Sequence, residues 1–302
     1  MTWLFRSFGL TFESDLPLLG FPPAEPGPIP DVVIATGQAA GEAAAGIAHA
    51  KVLPSPAGGH IFHLPEIGAF WVRDGQRIDV SPAEGADPAH IHLYLIGSAI
   101  GLLLHQRGMP TLHAATVARE GSAIAFIGDQ GAGKSTLAAS LAEAGFSVLG
   151  DDTMAISETP RGPVVWPGGG GFKLWRDTLT ALALSPGPAI ANRLDKHFTD
   201  NPRMAEDRAH PLGAILLLEG GPHRLERIDP LAAVDLLAQH AYRPEFVPLM
   251  GREAAHFQAS ARLAGAIPVW RFARPFDLSR RHETAVYLGE NWTRLTGEKT
   301  ED

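Results

Sequence analysis

Short apolar runs, each closed by proline, glycine or aspartate, fill the first quarter of the chain. Residues 8–12 (FGLTF), 32–36 (VVIAT) and 69–72 (AFWV) have the length and the β-branched or aromatic content of strands. Between the first two lies FPPAEPGPIPD, whose prolines fix φ and remove donors, which forbids both a helix and a central strand. DGQ before RIDV predicts a hairpin turn and a further strand over residues 74–80. These elements predict a small β-rich N-terminal domain over residues 1–87. Residues 88–110 then form a connecting helix. It contains the longest apolar stretch, LYLIGSAIGLLL (93–104), which is broken by Gly97, Ser98 and Gly101, stops at Gly108 and is too short to span a bilayer. The expectation there is a buried helix.

From residue 111 the periodicity alternates between 2 and 3.6. LHAATVA and SAIAFI read as strands, KSTLAASLAEA as a helix capped by Gly145, and FSVLG as another buried strand. GAILLLE and IPVWRFA follow as strands. PLAAVDLLAQHAYR, REAAHFQASARLAG and DLSRRHETAVYLGENWTRL have helical period, and the tail GEKTED is expected to fray. Residues 111–302 are therefore an α/β domain.

Composition narrows the function. The 302 residues are 45% hydrophobic and 19% charged, enough for a real core. A net charge of −8 without a Lys/Arg block argues against nucleic-acid binding. With no cysteine, disulfides and thiolate metal sites are excluded. The N-terminus lacks the basic flank and long apolar centre of a secretory signal. The expectation is a soluble cytoplasmic protein with no membrane partner.

GDQGAGKST follows SAIAFI directly and opens the helix, the context that a phosphate-binding loop requires. In Gly128, Asp129, Gln130, Gly131, Ala132, Gly133, Lys134, Ser135 and Thr136, the glycines allow backbone N–H groups to converge on phosphate oxygens. In such a loop Lys134 can reach the β- and γ-phosphates of a nucleotide, and the Ser135 hydroxyl can ligate Mg²⁺. The N-K-x-D motif of GTPases is absent, since NRLDK has the wrong order, and so is the LSGGQ-like signature of transport ATPases. Two acidic positions follow apolar strands: Glu219, and the pair Asp151-Asp152. The pair is favoured, because its strand comes straight after the loop helix and an adjacent parallel strand would end at the same edge. One carboxylate then serves the metal and the other the attacking hydroxyl, with mutual repulsion raising one pKa.

Leu112-His113, GDQGAGKS and GDD, in this order and spacing, resemble HPr kinase/phosphorylase. The chain is similar to the HPr-kinase-related group, in which some members phosphorylate lasso-peptide precursors. The specific match covers residues 101–156 and includes LLHQRG. The resemblance implies an ATP- and Mg²⁺-dependent kinase acting on a serine of a small protein or peptide, with the phosphoenolpyruvate-carboxykinase-like version of the phosphate-loop fold and a mixed sheet. It also implies roles: Asp151 as the base, His113 near the phosphates, Lys134 on the γ-phosphate, and Ser135 and Asp152 at the metal. Ala114 replaces a glycine and Thr136 a glutamate of the bifunctional enzymes, and their downstream Glu/Arg-Gly signature is missing, so the resemblance does not carry the reverse phosphorolysis. Those relatives form rings, which leaves a homo-oligomer open.

Other residues have weaker claims. His60/His63 and His90/His92 are metal-like pairs without a third ligand. WPGGGGFKLW (166–175) is either a lid bringing Lys173 to the site or a plain loop. One of Lys196, Arg203 and Arg208 is a candidate to neutralise the transferring phosphoryl group. His240 and Arg243 end a helix, where dipole complementarity suffices to explain them.

Overall fold

The computed structural model describes residues 2–27, 29–169, 171–191, 194–201 and 203–297. Part of the NRLDK stretch and all of the tail after Gly297 lie outside them. The described residues form a mixed α/β structure with three sheets.

The first sheet uses β1 (Trp3–Ser7), β2 (Leu10–Ser14), β3 (Val32–Thr36), β4 (Lys51–Pro54), β5 (His60–Leu64), β6 (Gly68–Arg73) and β7 (Arg77–Pro82), in the order β1-β2-β3-β7-β6-β5-β4. The expected strand over 8–12 is corrected: Phe8 and Gly9 adopt φ of 55° and 73° and form the turn between β1 and β2. Paired positive φ is the twist that a two-residue hairpin requires. Asp74 and Gly75 also take positive φ, in a three-residue turn with Gln76 between β6 and β7, as DGQ predicts. A short helix, α1 (Ala39–Ala43), packs through Ala40 on one face of the sheet.

The other face buries Phe12, Ile34, Phe70 and Ile78 against a long helix. That helix has three parts: α2 (Pro88–Tyr94), a π-helical turn (Leu95–Ala99) and α3 (Ile100–Gln106). It is longer than its apolar centre suggests. Its 19 residues meet the length and composition of a membrane span, but 67% of its apolar window is buried inside this fold. Its glycines have a packing reason. A Cβ on Gly101 would lie 2.7 Å from the Tyr242 ring, and one on Gly97 would lie 3.3 Å from its hydroxyl. The helix thus has a smooth seat for Tyr242.

The second sheet contains β8 (Thr111–Leu112), β9 (Ala115–Arg119), β10 (Ser122–Ile127), β11 (Ser147–Gly150), β12 (Met154–Thr159) and β13 (Gly162–Val165). The helix α4 (Lys134–Glu143) connects β10 to β11. A third, three-stranded sheet follows, with β14 (Gly171–Trp175), β15 (Ala189–Ala191) and β16 (Leu194–Asp200) in the order β14-β16-β15, and α5 (Arg176–Ala181) after β14. The chain then returns to the second sheet with β17 (His210–Gly220), β18 (Arg224–Arg227) and β19 (Val269–Arg274). The helices α6 (Pro230–Gln239), α7 (Phe246–Leu249) and α8 (Glu253–Ala266) precede β19, and α9 (Arg281–Glu290) and α10 (Trp292–Thr296) follow it.

The centre of the second sheet runs β11-β9-β10-β17-β19-β18. Among the described residues of this sheet, the parallel neighbours are β10 with β17 and β17 with β19. The expected adjacency of β10 and β11 is corrected here. The antiparallel β9 lies between them, so β11 still runs with β10 and ends at the same edge, one strand further away. Every residue of β10 is buried because both faces are covered. Ile124 and Phe126 meet Leu137 and Leu141 of α4, whereas Ala125 and Ile127 meet the core of α6 and α8.

A candidate phosphate-transfer site at the carboxyl edge

Gly128 to Gly133 turn sharply out of β10 with φ of 148° at Gly128, 89° at Gly131 and 80° at Gly133. At Gly133 two needs coincide, since that φ is left-handed and a Cβ would collide with the guanidinium of Arg274. Lys134 is buried at the helix start and donates from Nζ to the carbonyl oxygens of Gly128 (2.6 Å) and Asp129 (3.2 Å). Burial pushes its pKa down, against the pull of Asp151, Asp152 and Asp129. Arg274, at the end of β19, donates to the carbonyls of Ala132 (3.1 Å) and Gly133 (3.2 Å). Sequence reading missed this residue. A single arginine after an apolar strand carries no local signal, and only the β17–β19 pairing brings it to the loop.

Asp151 and Asp152 follow β11, and Asp152 has φ 81°, a left-handed conformation that is strained for a side chain with Cβ. The Lys173 backbone N–H donates to the Asp151 carboxylate at 3.2 Å, and the nearby Ser135 hydroxyl favours the charged form. Burial raises the Asp151 carboxyl, and the neighbouring Asp152 charge pushes the same way. Asp152 goes in the opposite direction. Burial alone would raise it, but the Lys173 ammonium, 2.6 Å from Oδ2, and His113 hold it at about 2. Two adjacent carboxylates are thus split into one that accepts a proton readily and one that stays charged.

Lys173 comes from β14, so residues 171–175 are neither lid nor loop. They are a strand paired with β16, whose Phe172 and Leu174 point into the core under α4. The opposite face, which carries Lys173, also carries Trp175 across from Lys196, and all three line the cavity. Lys196 is therefore the cation of the expected three that reaches the site. Arg208 pairs with Glu206 on the surface, and Arg203 lines a separate hollow with Glu143 and Met204.

His113 occupies the break between β8 and β9, where its N–H donates to the carbonyl of His240. Its Nδ1 faces the Asp152 carbonyl oxygen at 3.0 Å and carboxylate at 3.3 Å, so Nδ1 carries the proton and Nε2 the lone pair. Burial lowers its pKa, which keeps the ring neutral at pH 7. Tyr242 stacks on it at 6.1 Å and brings its hydroxyl to 3.5 Å from Asp152. His240 and Arg243 flank this tyrosine beyond the end of α6, with His240 supplying a carbonyl rather than its imidazole.

The resulting cavity holds about 140 Å³ and is lined by His113, Gln130, Gly131, Gly133, Lys134, Ser135, Thr136, Asp151, Asp152, Lys173, Trp175 and Lys196. Gly128, Asp129 and Ala132 shape the loop through their backbone, without lining the cavity. Glu219 is elsewhere, paired with Arg271. Ser135 and Asp151 offer adjacent hard oxygens of the kind Mg²⁺ takes. Asp152 would join such an ion only by releasing Lys173. Among the described residues no group of three or more His, Asp or Glu forms a metal cluster, and His60 and His92 are engaged with Gln106 and the Pro17 carbonyl. A larger apolar cleft of about 610 Å³ lies between Leu19, His92 and residues 184–190 and 198–200, away from the loop.

The first sheet props up the carboxylates. Phe8 N–H donates to the Pro167 carbonyl at 2.7 Å, and Gly168 N–H to the Leu149 carbonyl at 2.7 Å. A Cβ at Gly168 would collide with the Phe8 ring, and one at Gly150 would lie 2.8 Å from the Gly168 oxygen. Hairpin tip, segment 166–169 and the end of β11 are stacked without spare room.

No protein-family model and no curated protein matches this chain. Among solved structures it is similar to the Hpr(Ser) kinase/phosphatase from Coxiella burnetii, at 12% identity and a TM-score of 0.33, over 61% of this chain and 97% of that one. The likeness is a distant structural one.

Proposed function

We propose that this protein is an ATP-dependent kinase that transfers the γ-phosphoryl group to a serine hydroxyl of a small protein or peptide. One observation carries the reading: a glycine loop with Lys134 and Ser135 shares a single cavity with a carboxylate, Asp151, whose proton affinity is raised. Phosphoryl transfer needs positioning and charge stabilisation more than covalent help. The loop amides and Lys134 hold the phosphates, for which Lys134 exchanges the loop carbonyls it now contacts. Lys173 and Lys196 place positive charge on the opposite wall. Asp151 takes the proton of the acceptor hydroxyl. His113, neutral with Nε2 free, orients the reacting groups, and Asp152 fixes its tautomer. When bound at Ser135, Mg²⁺ would neutralise charge developing on the phosphate oxygens.

The test is γ-labelled ATP with serine-containing peptides. Asp151→Asn should keep ATP binding and lose transfer by at least about a hundredfold, whereas Lys134→Ala should lose both. Transfer retained by Asp151→Asn removes it as the base. Label in a small-molecule pool instead would reassign the acceptor, and absence of any labelled acceptor would leave nucleotide binding without transfer.

A further inference from the structure

The cavity of about 140 Å³ is lined almost wholly by polar groups, the loop, lysines and carboxylates, which suit phosphoryl groups rather than a planar base. If the loop holds ATP, the base needs an apolar ring, and such rings lie on the rim. Apolar rings exposed at that rim are few: Trp175, and Phe276, which is 59% exposed.

Trp175 belongs to the transfer side. It lies on the strand that carries Lys173, and its ring already has the Lys196 ammonium 5.9 Å from its centroid. Phe276 lies on the other side of the loop, beyond β19. Strands β10, β17 and β19 are parallel, so the loop, Gly220 and Phe276 share one carboxyl edge, where open parallel sheets receive ligands. The ring is close to the phosphate loop: a Cβ on Gly133 would be 3.7 Å from its edge, and one on Gly220 would be 2.9 Å from it. Glycine at these two positions lets the ring lie down on the backbone. The Arg274 guanidinium, 5.0 Å from the ring centroid, ties the ring's position to the loop carbonyls it binds. The segment is fixed as well, since Gly221 N–H donates to the Arg274 carbonyl, and the Asp277 side chain accepts from Ser279 N at 2.9 Å and Oγ at 2.7 Å. A preordered ring with an open face beside a phosphate cradle is a stacking platform for a planar heterocycle.

We infer that Phe276 is the platform on which the nucleobase of the bound nucleoside triphosphate stacks, with Arg274 as the positioning residue that couples this platform to the phosphate loop. The inference rests on the nucleotide-binding reading above, and the experiment separates the two. Dissociation constants for Mg-ATP and for inorganic tripolyphosphate with Mg²⁺ are measured by calorimetry on the full chain. Phe276→Ala should weaken ATP about tenfold and leave tripolyphosphate unchanged, and Phe276→Tyr should restore ATP binding. Because the side chain is exposed, the fold should persist, and equal melting temperatures check this. Unchanged ATP affinity in Phe276→Ala overturns the inference. So does equal weakening of both ligands, which would make the ring a support of the loop. The inference also fails if Trp175→Leu, and not Phe276→Ala, discriminates ATP from tripolyphosphate. If the wild type binds neither ligand, the phosphate-loop reading itself fails.

Discussion

Removing the Lys173 ammonium tests the electrostatic division of the carboxylate pair. Lys173→Met keeps the length of the side chain and deletes its charge, 2.6 Å from Asp152. The two side chains are 16% and 25% exposed, so solvent screens the pair only in part. Asp152 is held at about 2 against an ordinary 3.8. At 1.36 kcal/mol per pH unit this gap is worth about 2 kcal/mol of folding stability, part of it owed to His113. The sign follows from the depressed value. The contribution is full above about pH 4 and disappears as pH falls through about 2. Urea unfolding followed by tryptophan fluorescence should therefore show Lys173→Met destabilised by about 2 kcal/mol at pH 7, with the difference shrinking toward pH 2. Lys173→Met combined with Asp152→Asn should recover much of the loss, since it also removes the carboxylate that Lys173 neutralises. Equal midpoints at pH 7 would refute the reasoning. A penalty undiminished at pH 2 would refute it too, by placing the cost in packing.

Other consequences can be measured independently. The pH–rate profile of transfer should rise with pH through a carboxylate value above the usual range, set by Asp151; Asp152→Asn, which removes a charge that raises it, should move that limb to lower pH. Arg274→Ala should weaken tripolyphosphate, because it frees the carbonyls of Ala132 and Gly133, and Mg-ATP more strongly still, because it also releases the Phe276 ring, both seen by calorimetry. Gly168→Ala should cost about 1–3 kcal/mol by overpacking against Phe8, and Phe8→Leu in the same chain should return part of it in thermal melts.

The parts legible in the sequence are those whose information is local. SAIAFI, the glycine loop and its helix appear as read, because an apolar run bounded by glycine and a 3.6 period need no distant partner to be interpreted. Asp151 and His113 also reach the cavity their spacing suggests. What escaped depends on pairing between remote segments. Nothing in FSVLG says that β9 will insert between it and β10. Nothing in GFKLW says that Lys173 will find Asp152, because that contact is set by the β14–β16 ladder. The same holds for Gly97 and Gly101, whose place in an apolar helix is explained only by the remote Tyr242 ring packed against them.

The packing of Phe8 on Gly168, and of Gly168 on Gly150, has an evolutionary corollary. Where glycine backbone seats a ring on one side and a carbonyl on the other, drift at one position needs a matched change at its neighbour, so the hairpin tip and the glycines at 150 and 168 are expected to be inherited as a set. Chimeras that exchange the N-terminal hundred residues between distant homologues should fail unless residues 166–169 travel with them. Any ligand that grips the hairpin would thereby hold a lever on the acid pair.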